Sequence, residues 1–571
     1  MEPKIKSPEK SYGKIQGKSL EKNQSSSTTK IENMNFDLSS ADASSIGKPF
    51  TFKSTSIPST KKSSLSSIEK HSEIDITQFD IKKEPDFKWE KPTQEDFILK
   101  RINNNVYALI AFVFIIIVAI LIFPFSTLVK KTKYPIPIDP FDLYLYEYAK
   151  NVSSLNQPLV PNQLPIDPDT PQNQRSFTAS DGTDWKLVFS DEFNQDGRTF
   201  EPGKDSVWEA QDFHYWATKD FEYYSPKQAL TRNGNLELIL DHFVTKEGLN
   251  YTSGMVNSWN KFCFQGGYLE VRASLPGTGK ETGYWPAVWT LGNLGRAGFG
   301  ATTDGLWPYT YNTCDSGVLV NQTNKYLSRL PGQRLNACVC SGDHPSPGIG
   351  RGAPEIDIFE GFVQWGGLPH LSMSAQVAPF DYQYQTNTKF SRVQSLGIGD
   401  IGSTSRNSYI GGFLQQSVSA VHIIDPAISG GRKFQTYGFE YLPGPDGYVI
   451  WYVDRKEVFR VDAKTMGPNE LSKIGQRVIS EEPMYIIMNL GFSNSFGGID
   501  FEKIIFPASL YVDYIRLYQH PDRIQLSCDP SNRPTAQYIM DHPRAYYNPN
   551  ITSWNNTGYE VPEFDITKKC K

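Results

Sequence analysis

The feature that most restricts the fold is the long region from Trp185 onward, where short apolar runs alternate with turn residues and no long amphipathic helix appears. Runs of about four to eight residues bounded by Gly, Pro, Asn and Asp are typical of β-strands. Many such runs predict an all-β domain, an antiparallel sandwich or jelly roll, over residues 185–527. The runs include 185–190, 236–240, 268–273, 448–453 and 511–518.

Two segments in or after this region lack the strand pattern. Residues 292–354 are irregular and rich in Gly and Pro, which predicts an insertion stapled by Cys314, Cys338 and Cys340. Residues 528–571 are polar and irregular, which predicts an extension that wraps the domain.

One hexapeptide of the strand-rich region, EIDIFE, threads three acids through apolar residues. Because side chains of a strand alternate between faces, Glu355 and Asp357 share one face. Glu360 has the opposite parity. We predict a β-bulge near Ile358 and Phe359, which would return Glu360 to the acidic face.

Three acids on one face suit a retaining glycosidase, in which one carboxylate attacks the anomeric carbon and a protonated carboxyl about 5 to 5.5 Å away protonates the leaving oxygen. We predict Glu355 as the nucleophile, Glu360 as the acid/base, and Asp357 as the residue that hydrogen-bonds the nucleophile and keeps Glu360 protonated. On a flat strand, positions five apart lie roughly 16 Å apart at about 3.3 Å per residue, so the bulge and a concave sheet must close the gap. The alternatives are an ordinary exposed strand or carboxylates gathered for calcium.

A run without one charged residue, from Val106 to Val129, is long enough to cross a bilayer. It predicts a transmembrane signal-anchor helix over residues 102–129; the alternative is a buried globular helix. Lys and Arg flank both ends almost equally, so the flanking charges do not orient the helix.

The orientation follows from the cysteines and the glycosylation sequons. All six cysteines lie at or after Cys263, which indicates an oxidising compartment for the C-terminal part. We therefore predict a single-pass type II membrane protein of the secretory pathway (ER/Golgi or plasma membrane) with its catalytic domain lumenal or extracellular. Residues 1–100, rich in Ser, Lys, Thr and Asn, predict a disordered cytosolic tail, and residues 130–184 a lumenal stalk. The predicted glycosylation sites are Asn151, Asn250, Asn321, Asn550 and Asn555.

The composition argues against a nucleic-acid-binding protein and against a metalloprotein. The net charge of -5 and the pI of about 6.0 give no basic field for nucleic acid. The eight histidines form no HExxH motif and the cysteines no paired Cys-x-x-Cys pattern, so we predict no metal site and no cofactor, and we do not predict a structural calcium ion. Six cysteines allow 15 pairings, among which the sequence does not choose, and the oligomeric state is likewise unassigned.

Several blocks resemble glycoside hydrolase family 16, whose members carry a Glu-x-Asp-x-x-Glu signature on a bulged strand of a curved β-jelly roll. The matching blocks are 189–193, 253–255, 266–272, 284–289, 437–441 and 451–454. More narrowly, residues 213–218, 289–296, the cysteine-bearing insertion and 350–354 resemble the fungal β-glucan synthesis-associated proteins, which are single-pass membrane proteins with a cytosolic tail, needed for β-1,6-glucan of the cell wall. The resemblance implies a concanavalin-like β-jelly-roll sandwich over roughly residues 185–519.

Carried over residue by residue, the family's nucleophile, assisting acid and acid/base fall on Glu355, Asp357 and Glu360. The resemblance places Trp285 and Trp289 near the sugar cleft, although Trp289 could equally be a core residue. Trp216 is a further candidate for a stacking platform. Many family members place a His on the strand after the catalytic one, where this chain reads MSAQV, and Gln376 is the predicted substitute.

Two functions remain open on the sequence. The first is a membrane-anchored retaining glycosidase or transglycosylase that acts on β-glucan polysaccharide in wall β-1,6-glucan (and β-1,3-glucan) biosynthesis. The acids do not decide between hydrolysis and transfer, because either water or a sugar hydroxyl can be the acceptor. The alternative is a catalytically inactive glucan-binding scaffold or assembly factor, although a pure binder has no need of a protonated Glu beside an ionised one.

Overall fold

The computed structural model describes residues 166–245, 247–319, 327, 329–364, 367–381, 384–394, 399–412, 415–567 and 570. The predicted tail, the predicted membrane span, most of the predicted stalk and the sequons at Asn151 and Asn321 lie outside these residues. Within the described ranges, no helix combines the length and the apolar character needed to cross a bilayer.

The described residues form 21 strands, most of them short, as the sequence predicts. In chain order they are β1 Ser176–Thr178, β2 Asp184–Asp191, β3 Glu209–Ala210, β4 Glu222–Tyr224, β5 Ala229–Arg232, β6 Asn235–Leu240, β7 Tyr251–Ser253, β8 Met255–Asn257, β9 Cys263–Phe264, β10 Gly267–Ser274, β11 Trp285–Gly292, β12 Glu355–Val363, β13 Pro369–Gln376, β14 Ser391–Val393, β15 Thr404–Arg406, β16 Ser417–Ile423, β17 Gln435–Leu442, β18 Tyr448–Val453, β19 Lys456–Asp462, β20 Met484–Gly491 and β21 Ala508–Gln519.

Two large antiparallel sheets contain nearly all of these strands. The ten-stranded sheet runs β1-β2-β21-β10-β17-β18-β19-β14, with β5 and β6 joined to it beside β21. The nine-stranded sheet runs β15-β16-β13-β12-β11-β20-β8-β3, with β9 joined beside β20. Strands β4 and β7 form a separate parallel pair. The all-β, jelly-roll-like sandwich predicted from the sequence is confirmed.

Strand alternation explains how the sheets bury a common core. On β10, Leu269 and Val271 are fully buried in the largest apolar cluster, which holds residues from both sheets. Glu270, with the opposite parity, accepts a 2.6 Å hydrogen bond from Arg455 Nε. Each fully buried side chain of the Leu or Val type contributes about 1.5–3 kcal/mol to folding. The period-2 pattern therefore sets which side chains of β10 enter the core between the two sheets.

The folded part begins before Trp185, which corrects the predicted end of the stalk. β1 pairs with β2, and the buried Phe177 stacks on Tyr268 with ring centroids 3.8 Å apart. The Pro-, Asn- and Gln-rich composition therefore does not mark the boundary of the domain. Its last residues, which include Phe177, pack on the sheet. Residues 166–184 belong to the domain rather than to a spacer.

The insertion lies between β11 and β12. The described residues of the insertion and the C-terminal extension contain three short α-helices, α1 Gly300–Thr303, α2 Ala536–Asp541 and α3 Pro543–Tyr546, and two 3-10 helices, Ser316–Leu319 and Trp554–Thr557. All six cysteines are paired. The disulfide bonds are Cys314–Cys338 within the insertion, Cys340–Cys570 from the insertion to the extension, and Cys263–Cys528 from the sandwich to the extension. A fully buried ion pair, Arg351 to Glu482 at 2.7 Å, also fastens the insertion to the sandwich. The insertion and the extension thus form one cross-linked cap.

Candidate active site

The predicted β-bulge is present on β12. Against β11, the three acids pair with residues 291, 289 and 287, which share one face, and the register shifts between Asp357 and Phe359. Against β13 the register shifts between Asp357 and Glu360. Glu355, Asp357 and Glu360 therefore point to the same side of the nine-stranded sheet, hereafter the acidic face.

Contacts from both sheets hold the bulge in place. Trp451 of β18, in the opposite sheet, is fully buried and donates from Nε1 to the carbonyl oxygen of Asp357 at 2.7 Å. Thr290 Oγ1 donates to the carbonyl oxygen of Ile356 at 2.9 Å. Ile358 and Phe359 are fully buried in the core between the sheets. A buried carbonyl that a bulge releases from the ladder needs another donor, and Trp451 supplies it.

Each acid has its own polar neighbours. Ser374 Oγ donates to Asp357 Oδ2 at 2.6 Å, and Trp285 Nε1 donates to Glu360 Oε1 at 3.1 Å. The side-chain amide of Gln376 lies beside Glu355 and Asp357 and acts to lower the pKa of both carboxyl groups. The two Glu side chains are partly exposed, whereas Asp357 is buried beneath them.

The surroundings favour the protonated form of all three acids. Burial, followed by the charges of Asp357 and Glu360, raises the pKa of Glu355 well above its usual range. Burial, followed by the charge of Asp357, does the same to the pKa of Glu360. Burial raises the pKa of Asp357 to about 7, against the opposing effects of the Ser374 hydrogen bond and the Gln376 amide. Three acids so close cannot all be ionised at neutral pH, so the site retains a proton that it can donate.

The tryptophans predicted from the sequence lie beside the acids. Trp285 stacks on Phe496 with ring centroids 4.7 Å apart, which orients its indole N–H toward Glu360. Trp289 lies across from Asp357 and donates to Asn489 Oδ1 at 2.8 Å. Trp289 is only partly buried and lines a cavity on the acidic face, so its side chain does not lie in the core between the sheets.

A cavity of about 340 Å³ lies against Glu355. Its wall combines residues of the sandwich, the insertion and the extension, and the backbone N–H of Glu355 donates to the carbonyl oxygen of Pro308 in the insertion. Trp216 lines the cavity and is 40% exposed. The lining includes Tyr215, Trp216, Trp289, Trp307, Glu355 and Thr552.

Other predicted positions lie on the surface. The side chains of Asn250, Asn550 and Asn555 are exposed, as glycosylation requires. In the described part of the chain, no group of three or more His, Cys, Asp or Glu side chains is arranged to hold a metal ion.

Several residues of the site were not found from the sequence. Ser374 lies two residues before Gln376, so strand alternation alone would place both on the acidic face. Trp451, Tyr215, Trp307 and Thr552 come from distant segments that only the fold brings together, and no local signal identifies them.

The family model described as "Beta-glucan synthesis-associated protein SKN1/KRE6/Sbg1" matches residues 65–570. The β-glucan synthesis-associated protein KRE6 of Saccharomyces cerevisiae is 46% identical over 413 residues, which are 71% of this chain and 56% of that protein. SKN1 of Candida albicans is 42% identical over 475 residues, or 81% of this chain and 62% of that protein. The chain thus spans less than two thirds of the length of these relatives.

A solved structure, the catalytic domain of an endo-1,3-β-glucanase (laminarinase) from Thermotoga petrophila RKU-1, aligns with 59% of this chain and 98% of its own. The sequence identity is 22% and the TM-score 0.36.

Proposed function

This chain belongs to the family of β-glucan synthesis-associated proteins, and we propose that it is a retaining glycosidase or transglycosylase acting on β-glucan in cell-wall β-1,6-glucan (and β-1,3-glucan) biosynthesis. The observation that carries the proposal is the register shift on β12, which brings Glu355, Asp357 and Glu360 to one face. A scaffold that only binds glucan has no use for that arrangement.

In the first step, ionised Glu355 attacks the anomeric carbon and protonated Glu360 gives its proton to the departing oxygen, so the glycosidic bond breaks as the ester bond to Glu355 forms. In the second step, Glu360 takes a proton from the acceptor hydroxyl, whose oxygen displaces Glu355. Water as acceptor gives hydrolysis, and a sugar hydroxyl gives transfer. The charge of Asp357 favours the protonated state of Glu360 before the first step.

We also propose that the domain lies in the lumen of the secretory pathway or outside the cell, tethered through the apolar span at residues 102–129. Three disulfide bonds that use every cysteine support an oxidising compartment. The exposed sequons at Asn250, Asn550 and Asn555 are consistent with this.

The test uses the purified 571-residue chain with aryl β-glucan oligosaccharides in the β-1,3 and β-1,6 series. Wild type is expected to give shorter or longer products, and Glu355→Gln and Glu360→Gln to lose at least about a thousandfold of that rate. Glu470→Gln, at an exposed acid away from the site, is the control and keeps the wild-type rate.

Azide separates the two roles. With Glu355→Gly, azide takes the place of the missing carboxylate and should give the α-glycosyl azide. With Glu360→Gly, azide attacks the glycosyl-enzyme and should give the β-glycosyl azide. Wild type that binds the oligosaccharides without converting any of them would favour the scaffold and overturn the proposal.

A further inference from the structure

One side of the acidic face is covered. Beyond β11 the next strands are β20 and β8, and their residues Tyr485, Ile487 and Met255 share the acidic face by register. Each of the three is at most 1% exposed. No extended chain of sugars can therefore lie on that part of the sheet.

The cover is the cap formed by the insertion and the extension. Leu294 and Phe299 of the insertion and Tyr546 and Trp554 of the extension pack into the same apolar cluster as the covered strands. The two parts of the cap also bond to each other, because the backbone N–H of Trp554 donates to Asp304 Oδ2 at 2.9 Å.

The other side of the acidic face is polar. Ser374 and Gln376 of β13 and Ser419 of β16 share the face by register. Gln376 Oε1 and Ser419 Oγ are buried and have no hydrogen-bond partner among the described residues. This part of the acidic face is therefore polar, whereas the part covered by the cap is apolar.

The cavity lies at the covered side and is lined by Glu355 but not by Glu360. In a retaining reaction the sugar attacked by the nucleophile belongs to the non-reducing part of the chain, and the acid/base faces the leaving part. The cavity therefore lies where the non-reducing part of the glucan chain must bind. The cap blocks the chain from extending beyond the cavity.

The lining suits a short saccharide. The aromatic rings of Trp216 and Trp289, both partly exposed, offer apolar faces of the kind that pack on sugar rings. A volume of about 340 Å³ is at the lower end of the roughly 300–1,000 Å³ found for ligand pockets. Gly300 makes room for Trp216, since a Cβ at Gly300 would come within 2.5 Å of the indole Cζ2.

We propose, on the basis of the proposed function, that this cavity binds the non-reducing end of a β-glucan chain, so that the protein engages chain ends rather than chain interiors. Trp216 is the stacking platform for the terminal sugars of the chain. The insertion and the extension limit how many sugars the cavity can hold.

The experiment compares two modified forms of the same oligosaccharide with the wild-type 571-residue chain, in both linkage series. One form carries a bulky fluorophore at the reducing end, and the other a bulky substituent on the non-reducing terminal sugar. The first is expected to react at the unmodified rate. The second is expected to react at least tenfold more slowly and to bind Glu355→Gln at least tenfold more weakly.

Reaction of the blocked form within twofold of the unmodified rate would overturn chain-end binding and leave the proposed function intact. Failure of every oligosaccharide to react would overturn both.

Trp216→Ala should raise KM at least fivefold with a smaller change in kcat, and Gly300→Ala, which displaces the Trp216 indole, should do the same. Phe243→Ala, at an aromatic residue that is 64% exposed elsewhere, is the matched control and should change neither constant. An unchanged KM in Trp216→Ala would show that Trp216 does not bind the terminal sugars.

Discussion

The indole N–H of Trp451 reaches from one sheet to the other and donates to the carbonyl oxygen of Asp357, 2.7 Å away. Asp357 is the last residue before the register of β12 shifts. A residue 94 positions along the chain therefore fixes the backbone irregularity on which the grouping of the three acids depends.

Trp451→Phe should weaken both the fold and the site. The change leaves the Asp357 carbonyl buried without its donor, which costs about 1–3 kcal/mol, and the smaller ring adds a cavity. We expect a lower free energy of unfolding in denaturant titrations and a kcat at least tenfold below wild type.

Trp208→Phe is the matched control for this change. Trp208 is equally buried and donates from its indole to Asp191 Oδ2 at 2.8 Å, away from β12. It should lose comparable stability and keep the wild-type kcat. Equal losses of kcat in both variants would mean that Trp451 acts only through general stability.

Asp357→Asn should stabilise the protein at neutral pH. The pKa of Asp357 is raised to about 7, so between pH of about 4 and 7 the folded state holds a proton that the unfolded state has released. Wild type therefore loses stability as the pH rises through that window, by on the order of a few kcal/mol at about 1.4 kcal/mol per pKa unit. The variant lacks this loss, so its gain over wild type in thermal unfolding should be larger at pH 8 than at pH 4. A gain that is the same at both values would contradict the raised pKa.

Gln376→Met should shift the acidic limb of the pH–rate profile to higher pH. The side-chain amide of Gln376 lowers the pKa of Glu355, and its loss makes the nucleophile harder to ionise. The profile of kcat/KM against pH measures the shift. Gln537→Met, which removes an exposed hydrogen bond to Asp541, is the control and should leave the limb in place. A profile for Gln376→Met that matches wild type would exclude this role.

Cys570→Ser should loosen the cap without unfolding the sandwich. The lost Cys340–Cys570 bond closes a loop of 230 residues, but the largest apolar core lies between the sheets and contains none of the six cysteines. Hydrogen exchange is expected to speed up in residues 536–567 and to stay unchanged in β10 and β21. Thr178→Ala, at an exposed residue of β1, serves as the control with unchanged exchange in both regions.

The sequence predicts most strongly where a short-range rule applies. Strand parity alone shows that Glu360 needs an extra residue to join Glu355 and Asp357, and the bulge lies where that rule requires it. Gln376 is predicted from the family resemblance, and the register of β13 against β12 places it on the acidic face.

Long-range packing is what the sequence leaves open. The composition of residues 166–184 predicts a spacer, whereas contacts with distant residues attach the segment to the domain. Phe177 stacks on Tyr268, 91 positions away, and the backbone N–H of Ser180 donates to Glu440. Trp451 and Thr552 reach the site only through sheet order and through the cap. The pairing of the cysteines likewise depends on which distant loops meet.

The two disulfide bonds of Cys314 and Cys340 have different consequences for a chain made from its N-terminus. Cys314 meets Cys338 after 24 residues, whereas Cys340 must wait for 230. At about 5–20 residues per second, this second interval lasts roughly ten to fifty seconds. The emerging polypeptide thus carries all three acids well before the extension can complete the wall of the cavity, and the thiol of Cys340 lacks its disulfide partner for the whole of that time.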